Sequence, residues 1–358
     1  MQLLQHIFKE RIVSRLGNVT STYFNCDGLK QVPFNPNKWF PFPFSQTIVS
    51  RILPCPKTNY HREKIIFHDG AICCLDIATT QKPTKGLILL VPGFAGSSDS
   101  TYCKWFTKVA LERDYGVVIY NRRAHVKESV SSSFPLHYDP HDLETVLNWI
   151  RTTYKDQVLY GVGVSAGGNI LMRHDALLSR GSKEPFKALV SVCNGYDISK
   201  TVRHIESIPI LNNLFLDLSR SIMKNVAIDR KQFNAFNAFN TFNTFNTFNA
   251  FNAFNAFNAF KRFSELERYA MNDISTSSLE TYYHESSSDH VLDFITTPTL
   301  CINSADDPLV QYDYESLVKR NSNISLVLTS HGGHVGHIDK SWQCDWWCHR
   351  ALDYIENH

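Results

Sequence analysis

Apolar residues fall along this chain in two alternating patterns. The first is a set of short, nearly continuous runs: Gly86–Val91, Tyr115–Tyr120, Gln157–Tyr160, Ala188–Cys193, Thr299–Asn303 and Ile324–Thr329. Runs this short without regular polar alternation predict strands covered on both faces. The second pattern is apolar spacing of three and four. It predicts helices through Trp105, Val109 and Leu111, over Pro140–Tyr154 (Leu143, Val146, Leu147 and Ile150 on one face), over Ile170–Leu178, and through Trp346, Leu352 and Ile355. Asp139-Pro140 supplies an N-cap and a proline at the first helical position. Ahead of these, Lys64–Gly70 and Ala71–Ile77 read as a hairpin about Asp69-Gly70. Strands alternating with helices after an opening hairpin predict an α/β fold: a mostly parallel eight-stranded sheet with helices on both faces.

The pattern breaks at both flanks of this core. Residues 1–60 form an amino-terminal unit. Leu3, Leu4, Ile7, Phe8, Ile12 and Leu16 have helical spacing, and 32–60 is a proline- and aromatic-rich segment that reads as extended and wrapped on the core. Residues 61–194 and 298–358 form the core itself. Residues 195–297 are an insertion, expected to form a cap. Within it, 233–260 is a Phe-Asn-Ala or Phe-Asn-Thr repeat holding ten of the chain's 24 phenylalanines. A period of three keeps no stripe on an α-helix and no single face on a strand. The repeat therefore reads as a low-complexity insertion, disordered or weakly helical, without a catalytic role.

Composition narrows the function classes. A net charge of +2 over 358 residues gives no electrostatic case for nucleic acid. Nine scattered cysteines, an odd number, read as buried free thiols in a reducing, cytoplasmic setting rather than a disulfide framework. The sequons at Asn18 and Asn323 are then expected to be unused. Cys344, Cys348 and His349 lack a second ligand pair at finger spacing. Helix capping explains the acids among His137, Asp139, His141 and Asp142, so no metal and no cofactor is expected. No run long enough to span a bilayer occurs. A peripheral contact with a membrane surface, through the first helix or the repeat's phenylalanines, stays open.

The chemistry centres on Gly161-Val-Gly-Val-Ser-Ala-Gly-Gly-Asn169. Here Gly163-x-Ser165-x-Gly167 stands between a strand and a helix, the context a nucleophile elbow requires. Small residues let the two elements approach, and Ser165 would stand above the helix amino-terminus. Ester cleavage by serine also needs a base held by an acid, and amide donors for the oxyanion. Asp306 or Asp307 follows the 299–303 strand, and His334 follows the 324–329 strand. Nucleophile, acid and histidine thus come in the chain order of an α/β-hydrolase. The oxyanion donors would be the backbone N–H of Ala166 and, from the loop after Val91, that of Phe94, whose side chain could equally be an apolar wall.

These pieces resemble the AB hydrolase superfamily, family four: the abhydrolase-domain lipases and esterases numbered one to three in animals, with bacterial and yeast relatives. The matching residues are Gln46-Thr47, Asp69-Gly70, Leu75-Asp76, Pro92-Gly-Phe-Ala-Gly-Ser97, Asn121-Arg-Arg123, Asp142-Leu143, the elbow, Asn303-Ser-Ala-Asp-Asp-Pro308 and Gly332-Gly-His-Val-Gly336. The resemblance implies Asp307 as the acid. It also implies an α/β-hydrolase fold and a serine esterase or lipase that cleaves acylglycerols or related lipids. Ala124 stands where the family usually has glycine, and the repeat occupies the cap region that shapes acyl-chain access. Two other readings stay open. One is an acyltransferase using the same triad, with His334 and Asp339 forming an H-x₄-D pattern. The other is a non-catalytic hydrolase-like protein whose cap binds a partner.

Overall fold

A computed structural model describes residues 21–79, 85–129, 131, 137, 140–178, 186–226, 260–271 and 278–358. The expected helix over 1–16, Asn18, Asp139 and the repeat except Phe260 lie outside the described residues. The six apolar runs form the middle of the sheet. They are β4 (Gly86–Val91), β5 (Tyr115–Asn121), β6 (Leu159–Val164), β7 (Leu189–Val192), β8 (Thr299–Ser304) and β9 (Ile324–Thr329), and every residue in them is buried. Their neighbours pair in parallel throughout, in the order β5-β4-β6-β7-β8-β9.

Alternation along each run divides the core. Ile88, Leu90, Val117, Ile119, Val162 and Val164 join one apolar layer, with α2 (Thr101–Glu112) and α10 (Trp346–Glu356). Leu87, Leu89, Val91, Val118 and Tyr120 join the other, with α3 (Pro140–Thr153) and α4 (Ala166–Leu178). The period of two along a strand is what sends adjacent leucines of β4 to opposite layers.

Antiparallel strands close both edges. On one side β2 (His61–Ile66) and β3 (Ile72–Ala78) form the expected hairpin, turned at Phe67–Ala71. On the other, β1 (Ser21–Phe24) pairs with β9. The sheet therefore has nine strands among the described residues rather than the expected eight. The four-residue β1 carries no apolar run that would announce it.

The wrapping segment also differs from expectation. It contains a helix, α1 (Pro43–Val49), with proline in its first turn. The insertion carries α5 (Ile198–Ser207), α6 (Pro209–Met223), α7 (Phe263–Met271) and α8 (Leu279–Ser286), followed by a 3₁₀ turn at Asp289–Phe294. A short α9 (Glu315–Arg320) lies between β8 and β9.

Candidate active site

The elbow is built by the absence of side chains. A Cβ on Gly163 would meet the Gly167 carbonyl, and a Cβ on Gly167 would meet the Val91 carbonyl of β4. With both positions glycine, α4 starts directly behind β6 and its first residue is Ala166. Ser165 is left in the left-handed region at φ +54°, a conformation that costs an L-residue roughly 1–3 kcal/mol and is held by its surroundings. Its N–H donates to the Val192 carbonyl at 2.7 Å, and its carbonyl accepts from Gly168 N–H at 2.9 Å and Asn169 N–H at 3.3 Å.

His334 lies on the loop after β9. Its Nε2 accepts from Ser165 Oγ at 2.9 Å, and its Nδ1 donates to Asp307 Oδ2 at 2.8 Å. Both His334 and Asp307 are buried. Asp307 Oδ1 accepts from the N–H groups of Leu309 at 2.8 Å and Val310 at 3.2 Å, which aims the other oxygen at the imidazole. Asp306 points elsewhere: its Oδ1 accepts from Gly333 N–H at 2.9 Å and so braces the histidine loop from the side.

Two residues that pattern reasoning left without a role complete the support. Thr47 of α1 accepts from His334 N–H at 2.8 Å and donates to the Pro43 carbonyl at 2.9 Å. The only sequence signal for it was its place in the Gln46-Thr47 resemblance. Cys193, at φ +50°, accepts from Val335 N–H at 3.3 Å, and its Sγ lies within 4.8 Å of the acid and base atoms. Burial, then the Asp307 charge, pushes its thiol well above the ordinary range. The hydrogen bonds of Cys193, Asp307 and His334 account for their grouping.

Phe94 and Ala166, the expected oxyanion donors, both border the cavities at Ser165. Ala166 is the first residue of α4, so its N–H precedes the helical hydrogen-bond ladder. The loop that carries Phe94 is pinned at Gly93, whose N–H donates to the Tyr102 hydroxyl at 3.1 Å. Farther along, buried Asp76 binds Ser98 Oγ, Asn121 Nδ2 at 2.9 Å, and Arg62 through two bonds of 2.7 Å. Burial alone would raise the Asp76 carboxyl, but these donors outweigh it and hold it below its usual value. Several motif residues of the resemblance are thus structural braces of the loop beside the serine.

Two cavities meet at Ser165. One, of about 220 Å³, runs past Ser50, Arg51, Phe94, Phe215 and Leu218. The other, of about 70 Å³, is lined mainly by apolar groups, among them Ile198, Val202, Ile205, Phe215 and Phe263 from the insertion. Phe94, Phe215 and Phe263 pack mutually, with centroids 5.4–5.7 Å apart, so the Phe94 ring is also an apolar wall.

The remaining candidates sit in other roles. Asp339 Oδ1 accepts from Ser341 and Gln343 N–H and so caps a turn, which accounts for the aspartate of the H-x₄-D pattern. Asp142 forms a two-bond ion pair with Arg123, and His137 pairs with Glu267 at 2.5 Å. Cys344 and Cys348 are buried in the core, and all nine cysteines are free thiols. Ala124 occupies φ +61°, the conformation for which glycine is favoured.

A family model for the alpha/beta hydrolase fold matches residues 86–341. The human protein named Phospholipase ABHD3 is 28% identical over 286 residues, covering 77% of this chain and 63% of its own length. The mouse protein named Monoacylglycerol lipase ABHD2 is 24% identical over 297 residues, covering 80% of this chain and 69% of its own. The chain thus spans somewhat under two thirds of the human relative. Among solved structures, an esterase of Pyrococcus furiosus superposes with a TM-score of 0.51 at 15% identity, covering 85% of this chain and 98% of its own. An esterase of Exiguobacterium antarcticum gives 0.51 at 12% identity, covering 83% and 100%. At these identities the two structures bear on the fold alone.

Proposed function

This chain belongs to the alpha/beta hydrolase family, and on that premise we propose that it is a serine hydrolase that cleaves carboxylic esters of acyl lipids through an acyl-enzyme on Ser165. The observation that carries this reading is the unbroken line from Asp307 through His334 to Ser165, ending where an apolar cavity begins. His334 Nε2 takes the Ser165 proton as Oγ attacks the ester carbonyl. Asp307 stays ionised and stabilises the imidazolium that forms. The N–H groups of Phe94 and Ala166 hold the oxyanion. The imidazolium then gives its proton to the departing alcohol, leaving the acyl group on Ser165. Water, deprotonated by His334, attacks that ester and releases the acid and the free serine.

The substrate class rests on the pocket and on the relatives. The cavity walls contributed by residues 195–297 are aromatic and branched aliphatic, suited to an acyl chain and serving as the cap. Relatives named for phospholipids and monoacylglycerols point to glycerol esters. The test is hydrolysis of a panel of phospholipids and mono-, di- and triacylglycerols by the purified protein. Acid release that disappears in Ser165→Ala supports the reading. A panel on which the two proteins behave alike overturns it.

A further inference from the structure

Helix α1 is amphipathic in the reverse sense. Its buried side is polar: besides the Thr47 contact, Gln46 accepts from Ile338 N–H at 2.8 Å and donates to the Phe40 carbonyl at 3.2 Å. Its outer side is apolar. Phe44 and Ile48 stand exposed on it, and Ile52, in the turn that follows the helix, is 77% exposed. Trp39, 79% exposed, and Phe42 precede them. Trp342 packs edge-on against Phe40 at 5.1 Å, is itself exposed, and borders a shallow apolar groove with Leu53, Pro54 and Trp105. Among the described residues, these six account for over half of the eleven large apolar side chains left exposed. Large apolar side chains exposed in such number on one segment mark an interaction site.

The segment that carries most of the patch has a one-sided charge. Between Asp27 and Glu63 the chain holds no acid, but it holds Lys30, Lys38, Arg51, Lys57 and Arg62. Lys38, Arg51 and Lys57 are exposed, as is Lys340 near Trp342 in sequence. A second copy of the chain would set this cationic fringe against itself. Exposed tryptophan and phenylalanine, protruding isoleucines and surrounding lysines are instead what a lipid interface selects. Ser50 and Arg51, beside the exposed isoleucines, also line the cavity that leads to Ser165.

We propose that the outer face of α1, with Trp39, Phe42 and Trp342, docks on an anionic bilayer surface and sets the mouth of the catalytic cavity against the lipid. The docking itself is independent of the hydrolase reading; only its effect on turnover rests on it. The experiment is co-sedimentation of the full chain carrying Ser165→Ala with vesicles of phosphatidylcholine and phosphatidylserine. Binding is expected, weakening as salt is raised. Ile48→Asn with Ile52→Asn should lower partitioning about tenfold or more, and Lys38→Glu with Lys57→Glu should do so independently. With Ser165 restored, both pairs should keep wild-type turnover of a water-soluble short ester while losing hydrolysis of lipid presented in vesicles. Vesicle binding by a protein with no ester turnover at all would uphold the docking and overturn only the catalytic reading. Absence of vesicle binding, binding unchanged in both pairs, or a self-associated dimer that both pairs dissociate would overturn the docking.

Discussion

Asp306 and Asp307 are adjacent in sequence and opposite in surroundings. Asp307 meets His334 Nδ1 at 2.8 Å, whereas Asp306 receives the N–H of Gly333 at 2.9 Å. Replacing the first removes the acceptor that fixes the imidazole tautomer; replacing the second loosens only the loop. Asp307→Asn should therefore lower turnover of a soluble ester by about 10³–10⁴. Asp306→Asn should cost about tenfold or less, because an amide oxygen can still accept from Gly333. Steady-state rates on both folded variants check this, and the reverse ranking would move the acid to Asp306. Residue reading alone could not separate the two, since either follows β8; only the family resemblance did. Ser165 and His334 were legible because an elbow and a glycine-flanked histidine have local signatures. Thr47 and Cys193 were not, because each acts through one long-range contact that leaves no mark on its neighbours in sequence.

At the scale of elements, two links deserve a test of their own strength. Arg123, at the end of β5, is buried and binds Asp142 of α3 through two bonds, one of 2.7 Å, and Asp69 of the hairpin turn at 2.7 Å. Arg123→Ala would leave Asp142 buried without its cation. Denaturant unfolding should show a loss of about 3–5 kcal/mol. A loss under about 1 kcal/mol would mean water or another group takes over the carboxylate. The second link concerns the repeat. Val226, ahead of the repeat, and Phe260, its last residue, both pack against the cluster of Ala124, Leu216, Ile222, Met223 and Leu266. The ends of the insert therefore return to one place. Deleting 233–259 with a short glycine-serine linker, and keeping Phe260, should leave a folded protein active on short esters. An unfolded or inactive deletion would show that the repeat belongs to the packed structure. The elements that sequence missed share a cause. Helix α1 hides polar residues and displays apolar ones, the inverse of the pattern that signals a helix, and β1 is a four-residue edge strand. The central strands were legible because burial on both faces demands unbroken apolar runs.

For the whole molecule, the parallel sheet brings three loops from 165, 307 and 334 to one edge, which is why residues far apart in sequence form one line of hydrogen bonds. The same burial makes the fold sensitive to acid. His337 lies fully buried between Ser304 and Thr329, each at 3.2 Å from its Nε2, and burial lowers it to about 4; burial beside Arg122 lowers His125 to about 3. Both are held neutral in the fold. In the unfolded chain they take up protons below about 6.5, so stability is intact above that pH and falls as the pH drops toward 4. Thermal midpoints should decline through this window, and a flat profile across it would contradict the neutral state of both rings. Hydrolysis depends on Ser165 acting as the nucleophile, and mass spectrometry of the intact protein and its peptides after a fluorophosphonate reads that serine directly. A single adduct located on Ser165, absent in Ser165→Ala and strongly slowed in Asp307→Asn, is the predicted result. Equal labelling of wild type and Ser165→Ala, or no adduct on a folded wild-type protein, would contradict it.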